Sequence, residues 1–439
     1  MLYEKVIDQP EFYNFMIDQL GGSTIPSPVK GRKFVSNAER IAFSSQMLNI
    51  QKLIEAGSTF PSFEKAGPRE KIFHDPSWSR AAIVTCGGLC PGLNNVIKGL
   101  VNVLYYDYGV KNIFGIRYGY QGLNPEHHFS PIILDPKVVD NIHERGGTIL
   151  GSSRGDQDIG VMLDTLMRMN INMLFCIGGD GTLKGAKAIA EEAGRRHLAI
   201  SVIGIPKTID NDLSFIEKTF GFETAVFAAF DIITTAHNEA EGANNGIGLV
   251  KLMGRDSGFI AGAASLANSV VDFCLIPESQ FELGGEHGLL AALERKLNES
   301  NHAVIVVAEG AGQNLFKDNE LKHDASGNTL HKDIGIFLKD KIREYFSEKK
   351  RDFTVKYFDP SYYIRSTSAQ ANDAIFCYLL AEHAVHAAMA GKTNTVIGHW
   401  NNFFTHVPIQ LATMERRKMD LEGALWKGVL SSTRQNDYF

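Results

Sequence analysis

Short apolar runs alternate with longer amphipathic stretches through most of the chain. Runs that are apolar at every position predict strands buried on both faces, and apolar positions that recur at helical spacing predict helices that cover those strands. The predicted strands span 81–85, 110–116, 175–177, 199–205, 246–252, 271–276 and 303–307, and the predicted helices span 96–101, 183–196, 224–240, 289–297 and 334–346.

The alternation of strands and helices predicts an α/β fold with mainly parallel sheets, because parallel strands need crossover helices. The pattern runs through twice, which predicts two doubly wound lobes with a cleft between them. Turn-forming residues interrupt the first part of the chain and predict an N-terminal extension. The predicted divisions are 1–76 for the extension, 77–220 with 366–409 for the first lobe, and 221–365 with 410–439 for the second.

Two predicted strands end in turns, 178–182 and 206–212, that carry small residues and carboxylates. Loops at the carboxyl ends of neighbouring parallel strands line one site, so the two turns are expected side by side. Glycines in such a turn let a phosphate approach backbone N–H groups at a helix N-terminus. A carboxylate there would repel phosphate, so Asp180 predicts a bridging Mg²⁺. The second turn supplies a hydroxyl at Thr208 and two acids, Asp210 and Asp212, enough for a general base close to the metal.

Two further loops carry possible phosphate donors. The glycine turn 87–94 has neither the Lys-Ser/Thr pair of a P-loop nor dinucleotide-binding spacing, and taken alone it fits tight packing equally well. The loop 146–155 ends in small donors and Arg154, which suits a phosphate but also fits an ordinary surface loop.

The composition narrows the possible partners. The chain has 439 residues, of which 44% are hydrophobic and 21% charged, and its formal net charge of −6 gives no basic footprint for nucleic acid. Its five scattered cysteines predict a reduced compartment. No apolar run approaches the roughly 18 residues that span a bilayer, and residues 1–20 lack the pattern of a signal peptide. We therefore expect a cytoplasmic protein without a membrane partner.

Taken in order, the turns resemble those of the phosphofructokinase family over about residues 81 to 417. The five motifs that carry the resemblance are 87–94, 178–182, 206–212, 253–255 and 309–310. The additional segments 117–120, 147–155 and 359–365 are similar to those of long-chain ATP-using 6-phosphofructokinases of trypanosomatids and their bacterial relatives.

The resemblance implies an allosteric kinase of glycolysis. It would transfer the γ-phosphate of MgATP to the 1-hydroxyl of fructose 6-phosphate, giving fructose 1,6-bisphosphate and ADP. The first lobe would bind nucleotide and the second sugar phosphate. A homotetramer or homodimer is implied, with subunits contributing to one another's sites.

The resemblance also implies roles for individual residues. Asp210 matches the general base that takes the proton from the sugar 1-hydroxyl, and Asp180 matches the Mg²⁺ ligand. Nucleotide contacts fall on Gly88, Arg154, Gly179, Gly181, Thr182 and Gly185. The remaining catalytic and orienting groups fall on Lys207, Thr208, Asp212, Arg154 and Arg255. Sugar-phosphate contacts fall on Thr208, Asp210, Asp212, Met253, Gly254, Arg255, Glu309, Lys356, Tyr362 and Arg365.

The sugar-phosphate end departs from the family pattern at two positions. Tyr362 stands where many bacterial relatives have a histidine, and Gly246 stands where they have an arginine. The expected 6-phosphate pocket is therefore less cationic than that of those relatives. Lys356 is a candidate to replace one of the missing charges.

Two positions bear on the identity of the phosphoryl donor, and they favour different donors. Pyrophosphate-using relatives have Asp where this chain has Gly181, and that Asp fills the space of the α-phosphate of ATP. Lys207 is usual in pyrophosphate enzymes, although trypanosomatid and plant-type ATP enzymes keep it too. A carboxylate facing phosphate both clashes and repels, so we give Gly181 the greater weight and predict ATP, with pyrophosphate as the alternative.

Two other classes of protein share part of the pattern. NAD kinases and lipid kinases have the 178–181 turn, but they lack the 208–212 and 253–255 motifs that this chain has. A sugar-phosphate sensor without catalysis would be expected to have lost Asp180 or Asp210, and both are present.

Overall fold

The structure is a computed structural model that describes residues 2–316 and 331–439. Met1, in the predicted extension, and 317–330, in the predicted second lobe, lie outside the described residues. The chain divides into two compact units. Unit 1 comprises Met1–Thr208, Leu213–Gly221 and Thr367–Glu415, and unit 2 comprises Ile209–Asp212, Phe222–Ser366 and Arg416–Phe439.

Strands and helices alternate through most of the described residues. The strands are β1 Asp18–Gln19, β2 Ile25–Pro26, β3 Arg40–Ala42, β4 Ser62–Lys65, β5 Lys71–Ile72, β6 Arg80–Thr85, β7 Asn112–Ile116, β8 Ile132–Ile133, β9 Met173–Gly178, β10 Ser201–Pro206, β11 Gly246–Leu252, β12 Phe273–Leu275, β13 His302–Ala308, β14 Thr354–Phe358, β15 Lys392–Thr393, β16 Thr395–Trp400 and β17 Phe403–Pro408. The α-helices are α1 Leu2–Asp8, α2 Met47–Glu55, α3 Leu93–Asn102, α4 Ile159–Arg168, α5 Asp180–Arg195, α6 Phe222–Glu241, α7 Phe259–Asn268, α8 Leu289–Ser300, α9 Ile334–Glu348, α10 Ser361–Ser366, α11 Ala371–Met389, α12 Ile409–Ala412 and α13 Ala424–Thr433.

Unit 1 is built on a sheet with the order β3-β4-β17-β16-β10-β9-β6-β7-β8. The central strands β16, β10, β9, β6 and β7 run parallel, and the strands at both edges are antiparallel. Every residue of β9 and β10 is buried, as their unbroken apolar pattern predicts for central parallel strands. The helix α5 covers this sheet with a stripe of apolar residues at helical spacing.

Unit 2 contains a second sheet with the order β12-β13-β11-β14, in which every pair is parallel. The helices α8 and α9 share its apolar core with residues of β11, β12 and β13. Together the two sheets confirm the predicted α/β fold with mainly parallel strands, and the antiparallel edge strands are the feature that the sequence pattern did not indicate.

The first part of the chain is integrated into unit 1. Strands β3 and β4 pair with each other, and β4 pairs with β17, so this part extends the large sheet. An aromatic cluster joins Phe15, Phe43 and Phe63 to Phe215 and Trp400, with Phe15 and Phe63 at 5.0 Å between ring centroids. These rings belong to the main core of the unit. Among the described residues, no helix is long and apolar enough to cross a membrane.

A group of histidines lies inside unit 1. The side chains of His74, His386 and His406 are almost completely buried, and His383 is partly buried. Burial lowers the pKa of His74 to about 4 and that of His383 to about 3, and it also lowers the pKa of His386 and His406. His74 Nε2 lies 3.0 Å from a hydroxyl, and His386 Nδ1 lies 2.8 Å from Tyr108 Oη. These imidazoles are therefore neutral in the folded protein at neutral pH.

We predict that unit 1 loses stability as the pH falls from 6.5 towards 4. In this window the unfolded chain binds protons on these histidines and the folded chain does not, so each contributes a loss of up to ~1.4 kcal/mol per pH unit. The substitution His383→Leu removes one such group, and the drop in Tm between pH 7 and pH 5 should become smaller. Differential scanning calorimetry at the two pH values checks this.

The exposed His287 provides the matched control, since His287→Gln should leave the pH dependence of Tm as in the wild type. An unaltered Tm drop in His383→Leu would contradict the prediction.

Candidate active site

The central strands of unit 1 end at one level. Thr85 pairs with Ile177, and Gly178 pairs with Pro206, so the turns after β6, β9 and β10 leave the sheet side by side. The turns are also bonded to each other, because Lys207 N–H donates to Gly178 O at 3.0 Å. The expected juxtaposition of the 178–182 turn and the start of the 206–212 turn is confirmed.

The glycine turn after β6 is held by the loop that precedes Arg154. Gly87 has a φ of +85°, which favours glycine. Its N–H donates to Ser153 O at 2.9 Å, and its carbonyl accepts from Ser152 Oγ at 2.6 Å. Arg154 follows directly, so the loop and the glycine turn form one surface at the end of the sheet.

Lys207 is tied to the same turn. Its side chain is buried, and Nζ donates to Gly88 O at 2.7 Å. A Cβ on Gly87 would lie 3.2 Å from this Nζ. The ammonium group therefore fixes the glycine turn as well as carrying charge at the edge of the sheet.

The start of α5 is shaped by close packing at two glycines and by open space at a third. A Cβ on Gly178 would lie 2.1 Å from Thr182 Oγ1, and one on Gly185 would lie 2.7 Å from the ring of Tyr120. A Cβ on Gly181 would meet no atom of the described residues within 4 Å. Packing therefore requires glycine at 178 and 185, whereas at 181 it leaves room for a side chain.

Asp180 lies in the first turn of α5, where the helix dipole favours a carboxylate. Its Oδ2 pairs with Lys184 Nζ at 3.0 Å, and 14% of its side chain is exposed. Tyr120, whose importance the sequence pattern did not reveal, donates its hydroxyl to Thr182 O at 2.7 Å and so supports this turn.

In unit 2, β11 and β13 also end at one level, with Leu252 paired to Ala308. The turn 253–258 therefore leaves beside Glu309 and Gly310. Gly310 N–H donates to the carbonyl of the first glycine of that turn at 3.1 Å, and a Cβ on Gly310 would lie 1.8 Å from Arg255 O. Only glycine permits this contact, which groups the predicted sugar-site residues Met253, Gly254, Arg255 and Glu309.

Asp210 lies in the same unit within a cluster of charges. Its carbonyl accepts a hydrogen bond from the buried Ser257 Oγ at 3.1 Å. Burial is the main cause that raises the pKa of its carboxyl to about 8; the acids Asp212 and Glu309 act in the same direction, and two arginines, Arg416 and Arg255, oppose them. A carboxyl with a pKa near neutrality is suited to accept a proton from a hydroxyl.

Arg416 is a site residue that the sequence motifs did not identify. Its guanidinium forms an ion pair with the buried Asp212 carboxylate, and Arg417 N–H donates to Asp212 O at 2.8 Å. The available signal was the basic run 416–418 at the end of the family resemblance, but a basic run is more often a solvated surface.

The remaining predicted sugar-phosphate residues lie on β14 and α10. Lys356 pairs with Glu239 of α6 at 3.3 Å. Tyr362 is 81% exposed, and the Arg365 guanidinium lies 5.1 Å from its ring centroid. Lys251 holds the start of α10 through Asp359 at 2.8 Å. The contacts of Lys356, Tyr362 and Arg365 with sugar phosphate stay predictions.

Comparison with known proteins places these features in one family. The family model for phosphofructokinase matches residues 80–388. A Borreliella burgdorferi protein named ATP-dependent 6-phosphofructokinase is 50% identical over 440 residues, covering 97% of each chain. A Trypanosoma brucei brucei protein of the same name is 46% identical over 427 residues, covering 95% of this chain and 86% of that one.

A solved structure shares the fold at lower sequence identity. The crystal structure of a pyrophosphate-dependent phosphofructokinase from Marinobacter aquaeolei superposes with a TM-score of 0.66 at 19% identity, covering 81% of this chain and 91% of that one. Family match, sequence identity and fold agree with the arrangement of the turns, and the chain belongs to the phosphofructokinase family.

Proposed function

We propose that this protein is an ATP-dependent 6-phosphofructokinase. It transfers the γ-phosphate of MgATP to the 1-hydroxyl of fructose 6-phosphate and releases fructose 1,6-bisphosphate and ADP. Relatives with this name match almost the whole chain. The observation that carries the proposal is the Asp210 carboxyl, whose pKa is raised to about 8 between two acids and two arginines.

Asp210 acts as the general base and takes the proton of the 1-hydroxyl as its oxygen attacks phosphorus. Phosphoryl transfer depends mainly on positioning and on charge stabilisation. Arg255 supplies positive charge in unit 2, and Arg154 and Lys207 supply it in unit 1. Thr208 and Asp212 flank the base and orient the sugar.

The nucleotide is held by unit 1, through the backbone of Gly88, Gly179 and Gly181 and through Thr182 and Gly185. The carboxylate of Asp180, a hard oxygen donor at a helix N-terminus, suits Mg²⁺. An ion held there would neutralise phosphate charge, with Asp180, which pairs with Lys184 in the structure, as its protein ligand.

The sugar phosphate is held by unit 2, through Met253, Gly254, Glu309 and Arg365, with Tyr362 and Lys356 at the 6-phosphate end. The assembly as a homotetramer or homodimer and the location in the cytoplasm are further proposals. Five free, buried cysteines support a reducing compartment.

Two observations support ATP as the donor. The space next to Gly181 is open in the described part of the chain, so that an α-phosphate meets no side chain there. Lys207 Nζ is bonded to Gly88 O at 2.7 Å, which gives this lysine a role in an ATP enzyme too. Pyrophosphate remains the second candidate donor because the lysine is also usual in pyrophosphate enzymes.

We predict that the purified protein with Mg²⁺ converts fructose 6-phosphate to fructose 1,6-bisphosphate with ATP and not with pyrophosphate. Parallel assays with the two donors, with the product detected by ³¹P NMR, check this. Turnover with pyrophosphate alone would show that Lys207, and not Gly181, indicates the phosphoryl donor. No turnover with either donor would refute the proposed function.

We predict that Gly181→Asp abolishes turnover with ATP. The new carboxylate enters the space of the α-phosphate and repels it, while folding is kept because the position is open and an acid in a first helical turn is favourable. Steady-state kinetics and thermal unfolding of the variant check this.

The matched control for this position is Gly181→Ala, which adds a side chain without charge. It should retain a large part of the ATP turnover. Equal ATP turnover in Gly181→Asp and the wild type would contradict the steric and electrostatic argument.

We predict that Asp210→Asn lowers kcat by about 10²-fold or more with little change in KM, because only the transition state needs the base. The same variant should unfold at a higher temperature than the wild type at pH 7.5. The folded pKa of about 8 lies above the ordinary value of 3.8, so the wild type loses stability as the pH rises through this window.

Steady-state kinetics and calorimetry at pH 7.5 and pH 4 test both parts of this prediction. The gain in Tm should shrink towards pH 4, where the carboxyl is protonated in the folded chain and about half protonated in the unfolded one. Unchanged kcat would remove Asp210 from the mechanism, and an equal or lower Tm at pH 7.5 would contradict the raised pKa.

A further inference from the structure

A partly buried carboxylate joins two segments around Asp210. Glu278 follows β12, and its Oε1 accepts hydrogen bonds from two backbone groups, Gly258 N–H at 3.1 Å and Met419 N–H at 2.7 Å. The two donors are far apart in the sequence. One oxygen atom therefore links two segments that are not neighbours along the chain.

Each of these segments carries an arginine of the Asp210 cluster. Gly258 ends the turn that contains Arg255 and Ser257, and Ser257 Oγ donates to Asp210 O at 3.1 Å. Met419 lies three residues after Arg416, which pairs with Asp212. Both arginines lower the pKa of Asp210, and the hydrogen bonds of Glu278 join the two segments that carry them.

The surroundings of Glu278 leave little freedom. A Cβ on Gly258 would lie 2.4 Å from Ile276 Cγ2 and 3.1 Å from Glu278 Oε2. Met419 is 4% exposed, and its Cε lies 2.8 Å from the place of a Cβ on Gly262 in α7. Oε2 is buried and has no hydrogen-bond partner among the described residues, so the bridge depends on Oε1 alone.

We infer that Glu278 is a positioning residue for phosphoryl transfer. Its Oε1 fixes the turn 253–258 to the segment 416–419 and thereby sets the positions of Arg255 and Arg416 relative to Asp210. The inference rests on the proposed function and adds to it a residue outside the five family motifs. Glu278 acts through the two arginines and not by contact with a substrate.

The experiment compares three substitutions at Glu278 with ATP and fructose 6-phosphate. Glu278→Ala removes both hydrogen bonds and should lower kcat roughly tenfold or more, with KM for ATP within about twofold since nucleotide contacts lie in unit 1. Glu278→Asp keeps the charge but is one methylene short, and it should behave like Ala. Glu278→Gln keeps an acceptor oxygen and should restore most of kcat.

The matched control is Gln435→Ala. Gln435 is buried in the same unit and also forms hydrogen bonds with the backbone. Its Oε1 accepts from Cys274 N–H at 2.8 Å, and its Nε2 donates to Cys274 O at 3.3 Å. Cys274 is in β12 and not in either bridged segment. This variant should lose stability comparable to Glu278→Ala and keep kcat, whereas a comparable fall in kcat would show a merely structural effect and overturn the inference.

A double-mutant cycle with Arg255→Ala gives the second readout. If Glu278 acts through Arg255, then Glu278→Ala should lower kcat far less in the Arg255→Ala background than in the wild type. Multiplicative losses, or normal kcat in Glu278→Ala and Glu278→Asp, would overturn the inference. Wild-type protein that does not phosphorylate fructose 6-phosphate would instead refute the proposed function, so the two failures are distinct.

If Glu278→Ala does not fold, the Asp and Gln variants still decide the question. A low kcat in Glu278→Asp together with a kcat near the wild-type value in Glu278→Gln supports the positioning role of Glu278. Equal kcat in the two variants contradicts it.

Discussion

The register of the parallel strands is the constraint on which the site depends. In unit 1 the pairing of β9 with β10 ends at Gly178 and Pro206, and in unit 2 the pairing of β11 with β13 ends at Leu252 and Ala308. A slip of one residue would turn each strand's buried side chains to the opposite face. The turns that follow these strands make contacts that depend on this pairing, such as Lys207 N–H to Gly178 O at 3.0 Å and Gly310 N–H to Gly254 O at 3.1 Å.

Glycines in these turns serve two different purposes that look alike in the sequence. Gly310 and Gly178 are required because a Cβ would collide with Arg255 O or with Thr182. Gly181 has open space around it within the described structure, so packing does not require glycine there. Only the three-dimensional surroundings separate a glycine that packing requires from one that it does not, and this separation is the basis of the donor argument in the proposed function.

The local pattern of apolar and turn-forming residues predicted the central strands and the turns that follow them. Both signals depend only on residues that are adjacent in the sequence. The strand over 246–252 and the starts of α8 and α9 were predicted as the structure has them. Strands β3 and β4 were missed, since three or four residues carry too little pattern. Arg416 was missed because its partner Asp212 is 204 positions away, and no local rule connects them.

The positions of Lys356, Tyr362 and Arg365 illustrate a further limit. A motif assigns a residue to a pocket by its place in the sequence, but Lys356 is engaged with Glu239 and most of Tyr362 is exposed. The Arg365 guanidinium packs against the ring of this tyrosine at 5.1 Å from the centroid. The contacts that the structure gives these side chains therefore do not assign them to a phosphate site.

Under the proposed mechanism, a single arginine beside Asp210 would have two effects on the rate. Burial, Asp212 and Glu309 raise the pKa of Asp210 by more than Arg416 and Arg255 lower it, so that the pKa reaches about 8. Loss of Arg255 removes positive charge from the transition state, and it also raises the pKa of the base and reduces the ionised fraction. The first effect is the same at every pH, whereas the second disappears once the pH is well above the raised pKa. The rate at a single pH therefore combines positioning and ionisation, and only the pH profile separates them.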